Sequence, residues 1–227
     1  MKSKNSPDFI FGIYAILANL YDGLHNYERV IEMCDKALQI EHENEGTNAA
    51  NVYMSKGKAL LKLKQFKQAE TAFYKALELS VKLDNDESKS SAYMNLGNCF
   101  YNLGKYYDAI TNYQNALEIL KSLEFFKRSI SCYRLIGNSY LALDSMDKAE
   151  TYYSLADKMR LEKKIEHDPD LVSNHNAKLY LKIHKPSLYD EIVKNENVQD
   201  SLLIDYHKML NLDLLEKYQS NEKEAEN

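Results

Sequence analysis

Proline is nearly missing from this sequence. Among its 227 residues only Pro7, Pro169 and Pro186 are proline, and none falls between the first two. Proline removes a helical hydrogen bond and clashes with the preceding turn, so its absence from that long interval allows an unbroken helical array. Glycine is scarce and tryptophan absent, a composition that fits an all-α protein. Cys34, Cys99 and Cys132 lie far apart with no CxxC pair. They read as small core residues in a reducing compartment. No apolar run approaches the ~20 residues that cross a bilayer. The apolar-rich stretch from Phe9 to Leu20 reads as a helix of the array, not a signal peptide. A cytoplasmic protein without a membrane partner is expected. Net charge is −5, with acidic and basic residues interspersed, so the basic stripe of a nucleic-acid binder is missing. The glycines are single and set in helical patterns, which excludes a phosphate-cradling loop. No nucleophile–base arrangement occurs, and His167, Asp168, Asp170 and His175 match no zinc-ligand spacing. No catalytic residue, metal or cofactor is assigned.

What is present is a repeat. Gly57, Gly97 and Gly137 stand 40 residues apart. Each is followed at the same distances by an alanine (Ala69, Ala109, Ala149), an aromatic (Phe73, Tyr113, Tyr153) and a second alanine (Ala76, Ala116, Ala156). A fixed period of this size signals a repeat architecture, which builds an extended surface rather than a pocket. Apolar residues at three- and four-residue spacing predict helices over Ala50–Leu63 and Phe66–Lys82. The breaks between helices are short and polar, as at Lys64-Gln65 and Gly104-Lys105, so paired helices must run antiparallel. The recurring small residues mark where helices cross. The recurring aromatic is expected to fill the space between one pair and its neighbour. Helical glycine costs about 1 kcal/mol against alanine, and three equivalent copies are best explained by packing that offsets it. A weaker copy lies upstream, with Ala18 at the glycine position, Val30 at the first alanine and Ala37 at the second.

The signature stops after Lys164. Helices are expected from Asp170 to about His184, from Pro186 to Val193 and from Gln199 to Tyr218, the last with Leu203, Tyr206, Leu210 and Leu214 along one side. The expected boundaries are an N-terminal extension at 1–8 and repeats over 9–165, as pairs at about 9–44, 46–84, 86–123 and 126–165. A helical cap at 166–218 and a disordered tail at 219–227 complete the reading. A cap covers the apolar face of a last repeat. A dimer interface or a helix lying in the groove are the alternatives for this region.

Leu96-Gly97-Asn98-Cys99-Phe100, Tyr107-Asp108-Ala109, Tyr113 and Ala116-Leu117, with their copies, resemble the tetratricopeptide repeat (TPR) family. The 40-residue period exceeds the common 34 of that family. It is similar to the long repeats of kinesin light chain, of the Leu-Gly-Asn repeat regulators and of Rap-type peptide-pheromone receptors. The resemblance implies a right-handed α-solenoid of about four helix pairs whose first helices line a concave groove. It places Asn19 on the groove wall in the first repeat. Asn51, Met54, Lys58 and Lys62 follow in the second, Met94, Asn95, Asn98, Tyr101 and Asn102 in the third, and Arg134 and Asn138 in the fourth. The residue after the glycine position is asparagine at Asn19, Asn98 and Asn138. A carboxamide carries both a donor and an acceptor, and peptide-binding relatives use such rows to hold extended backbone. The other reading is that these asparagines bond a neighbouring helix. Lys58, Lys62 and Arg134 would favour an acidic peptide or a carboxylate. The family's carboxylate clamp is matched only by Asn95, so a chaperone-tail clamp is excluded. Rap-type phosphatases carry their activity in an N-terminal bundle, whereas this chain begins in repeats, so that activity is not expected. The leading expectation is a non-enzymatic protein- or peptide-binding scaffold. A peptide-responsive signalling regulator without its output domain, and a self-associating structural subunit, remain as alternatives.

Overall fold

A computed structural model describes residues 7–41 and 49–165. Among these the chain is entirely helical, an α-solenoid of eight helices: α1 (Pro7–Gly23), α2 (Tyr27–Glu41), α3 (Ala49–Lys62), α4 (Phe66–Lys82), α5 (Asp86–Asn102), α6 (Tyr106–Ser122), α7 (Phe126–Ala142) and α8 (Met146–Glu162). Each helix packs on its neighbours in the chain, and the first helices of successive pairs also touch, α1 on α3 and α3 on α5. The cap and tail expected at 166–227 lie outside the described residues, as do the first six residues and the join at 42–48.

Local chemistry sets the ends. Pro7 opens α1, where its missing N–H has no helical partner to lose. Asn85 caps α5 by accepting from the Ser88 amide at 2.9 Å. The ends of α1 and of α3 to α8 share one device. His25, Lys64, Asp84, Gly104, Glu124, Asp144 and Lys164 all have positive φ. After α3, for example, the Gln65 amide donates to Leu60 O and the Lys64 amide to Leu61 O, both at 2.9 Å. This is the Schellman pattern, which satisfies the last carbonyls of a helix and turns the chain back. The short polar breaks of the sequence are these left-handed residues, and only one of them is glycine.

The small residues of the repeat do what the spacing predicts. Ala69, Ala76, Ala109, Ala116, Ala149 and Ala156 are fully buried. Besides its burial, the ring of the recurring aromatic packs onto the glycine of its own pair, a contact that the spacing does not predict. A Cβ added to Gly57 would fall 2.5 Å from Phe73 Cε1, and one added to Gly137 would fall 2.7 Å from Tyr153 Cε1. At Gly97 the Tyr113 ring occupies the same space. Glycine is required because the ring sits where a side chain would begin. The first pair shows the converse: Ala18 replaces glycine and Cys34 replaces the ring, and both are buried in one cluster.

α1 is also the end of the described array. Ile16 and Leu20 are 68% and 58% exposed, while Ala59, Cys99 and Ser139, which match Leu20 in the later repeats, are fully buried.

Candidate functional site

The first helices α3, α5 and α7 form one face, and side chains bridge it from helix to helix. Asn95 on α5 donates from Nδ2 to the Met54 sulfur on α3 at 3.4 Å. Arg128 on α7 donates from Nη2 to Ser91 Oγ on α5 at 2.7 Å and lies 3.9 Å from Glu87. Asn51, Lys58, Lys62 and Asn102 are exposed on these helices, and Met94, Asn95, Asn98, Tyr101 and Asn138 are half-buried. Asn19 is exposed on α1.

The asparagines fall into two sets. Asn95 and Asn102 donate from Nδ2 to carbonyls of their own helix, Ser91 O and Asn98 O, each at 2.8 Å. Their Oδ1 acceptors have no partner among the described residues. Asn98 and Asn138 are arranged the other way round. The Tyr113 hydroxyl donates to Asn98 Oδ1 at 2.8 Å, and the Tyr153 hydroxyl donates to Asn138 Oδ1 at 2.6 Å. Their Nδ2 donors have no partner among the described residues. Burial pushes both phenols well above their ordinary pKa, so each keeps its proton and donates. Asn98 and Asn138 therefore do bond the second helix of their own pair, and still retain one polar end. Residues 95, 98 and 102 lie on one face of α5 by helical spacing. That face offers hydrogen-bonding atoms of both kinds within two turns.

Two expected site residues lie elsewhere. Met54 is buried beneath the face, where its sulfur receives Asn95. Arg134 is only 5% exposed, with Nη2 3.8 Å from Asp157 Oδ1 on α8, and Arg160 approaches that carboxylate at 3.7 Å. Arg134 is therefore an element of the fourth pair's interior and supplies no groove cation. The sequence carries the reason. Met94 and Leu117, and Met54 and Leu77, occupy the same two positions in the earlier repeats. The ion pair of the fourth repeat thus replaces an apolar pair. Arg128, which sequence reasoning missed, is the cation that α7 brings to the face. Its position opposite Ser91 depends on how neighbouring pairs stack, which no single repeat reveals.

Tyr101 packs edge-on against Tyr106 with centroids 5.4 Å apart. Burial raises its pKa, with Tyr106 adding to the shift. Cys34, Cys99 and Cys132 are buried free thiols. Among the described residues no cluster of His, Cys, Asp and Glu could hold a metal, and no helix is long and apolar enough to cross a membrane.

Models of the tetratricopeptide repeat match residues 50–80 and 88–159. Among solved structures the chain is similar to BtubC (BKLC) from P. vanneervenii, with 26% identity and a TM-score of 0.67 over 74% of this chain and 69% of that one. It is also similar to TPR-like repeats of a kinesin light chain from P. anserina, with 14% identity and a TM-score of 0.66 over 91% of this chain and 95% of that one. A third likeness is to the Rap conjugation gene regulator of plasmid pLS20 in complex with the Phr* peptide, with 19% identity and a TM-score of 0.63. That match covers all of this chain and 59% of the regulator.

Proposed function

Because its repeats at residues 50–80 and 88–159 belong to the tetratricopeptide repeat family, we propose that this protein is a non-enzymatic binding module. It holds an extended peptide, or an extended segment of a partner protein, along the face of α3, α5 and α7. The observation that carries this reading is the set of asparagine atoms on one face of α5 that have no partner among the described residues, acceptors at Asn95 and Asn102 and a donor at Asn98, with the donor repeated at Asn138 on α7. A peptide backbone presents the complementary atoms at every residue. Exposed Lys58 and Lys62, with half-buried Arg128, favour an acidic peptide or a free carboxylate. The three buried free thiols suit a reducing cytosol.

The test is selection of a randomised dodecapeptide library on the wild-type chain, followed by affinity measurement with the Asn98→Ala, Asn138→Ala variant. The expected result is a loss of about tenfold or more, as for two lost hydrogen bonds, at unchanged helicity. Equal affinity would sink the groove reading. A second reading, a peptide-responsive regulator, draws on the likeness to the Rap regulator solved with its peptide. It requires that a bound peptide alter the solution scattering profile of the solenoid.

A further inference from the structure

We propose that Tyr113 and Tyr153 are positioning residues for recognition: each hydroxyl fixes the carboxamide of Asn98 or Asn138 so that Nδ2 meets a carbonyl or carboxylate oxygen of the ligand. This inference rests on the groove reading above and adds to it which atom of each asparagine the ligand meets. The ring and the hydroxyl of each tyrosine do separate work. The ring covers Gly97 or Gly137 at a distance that leaves no room for a Cβ, and Phe73 does the same over Gly57 without a hydroxyl. The hydroxyl is thus not needed for packing. It appears in the two repeats where the residue after the glycine is asparagine and is missing in the one where that residue is Lys58. In both tyrosine repeats it donates to the asparagine Oδ1, at 2.8 Å and 2.6 Å.

A carboxamide is planar, with its oxygen and nitrogen at separate corners of a trigonal carbon. A bond from a buried phenol to Oδ1 therefore fixes which corner meets the phenol and keeps Nδ2 off it. Without that bond the group can flip about its last torsion, because acceptor and donor ends are nearly the same size. The tyrosine removes this freedom before the ligand arrives, and preorganisation of this kind raises affinity by lowering the cost of ordering. The ligand so recognised offers acceptors at two points one repeat apart. Asn19 has Cys34 in place of the ring, so it lacks this device.

The experiment uses the full chain and a dodecapeptide selected on it. Tyr113→Phe with Tyr153→Phe keeps both rings and should weaken peptide binding about three- to tenfold, the range of a net hydrogen bond or less. The same changes in the Asn98→Ala, Asn138→Ala background should have no further effect. In side-chain amide NMR the Asn98 and Asn138 resonances should shift in the Tyr→Phe variant before any peptide is added, a change that ring packing alone does not produce. Tyr→Phe affinity equal to wild type, with Asn→Ala affinity reduced, overturns the positioning role and leaves the groove reading intact. Wild-type affinity in all variants overturns both.

Discussion

In the second helix pair the ring over the glycine is Phe73, and the residue after the glycine is Lys58; in the third and fourth pairs they are Tyr113 with Asn98 and Tyr153 with Asn138. All three rings occupy the same place and are buried. What differs is one oxygen, and with it the chemistry that the helix presents to a ligand. Packing and surface chemistry are thus set at the same residue by different atoms. The fourth pair adds a second contrast. Where the earlier repeats place Met and Leu, it places Arg134 and Asp157, an ion pair almost without solvent exposure.

The largest expected effect breaks that second contrast. Asp157→Leu leaves the Arg134 charge buried and should lower stability by about 3–5 kcal/mol, the usual cost of a stranded partner. Arg134→Met added to it rebuilds the apolar pair of the earlier repeats. Chemical denaturation of the double variant should show stability at or above wild type, since apolar replacement of buried ion pairs is often neutral or better. Next comes Gly97→Ala. Its Cβ meets the buried Tyr113 ring, and overpacking should cost about 1–3 kcal/mol, only partly offset by the ~1 kcal/mol gain in helix propensity. A higher melting temperature in that variant would refute the packing account.

Phe73→Tyr sharpens the first contrast. It brings a hydroxyl to a fully buried position where no asparagine waits, and should cost about 1–3 kcal/mol as an unsatisfied polar group. Lys58→Asn in the same chain should recover most of that loss, as thermal melts would show. The smallest effect concerns the thiols. Burial pushes Cys34, Cys99 and Cys132 from an ordinary pKa near 9 up to about 12. A raised pKa in the folded state means stability that is present below about pH 9 and lost as pH rises toward 12, because the unfolded chain releases those protons first. At pH 8 a thiol-labelling reagent should react slowly with the folded protein at all three sites and quickly in denaturant.

Most of the fold is legible in the sequence because its rules are local and repeated. The helices follow from apolar spacing, the pairing from short breaks, and the glycine from the size of what it faces. The contact of the aromatic with the glycine is not legible. Spacing shows that Phe73 recurs as Tyr113 and Tyr153, but only coordinates show that the ring lies on the glycine of its own pair. The site is legible as a set of asparagines and not as a set of atoms. Which end of Asn98 is open depends on Tyr113, fifteen residues away on another helix, though the same interval from Asn138 to Tyr153 carried the signal. Arg134 was misplaced because a single repeat displays it on a groove position. Its true partner, Asp157, shows only when the Met–Leu pairs of the other repeats are aligned beside it.

The most direct test of the central claim is NMR shift mapping on the full chain with a library-selected dodecapeptide. The account predicts that the largest shifts fall on Lys58, Asn95, Asn98, Asn102, Arg128 and Asn138, on the face of α3, α5 and α7. Shifts confined to Ile16 and Leu20 on α1, or to the outer helices α4, α6 and α8, would contradict it.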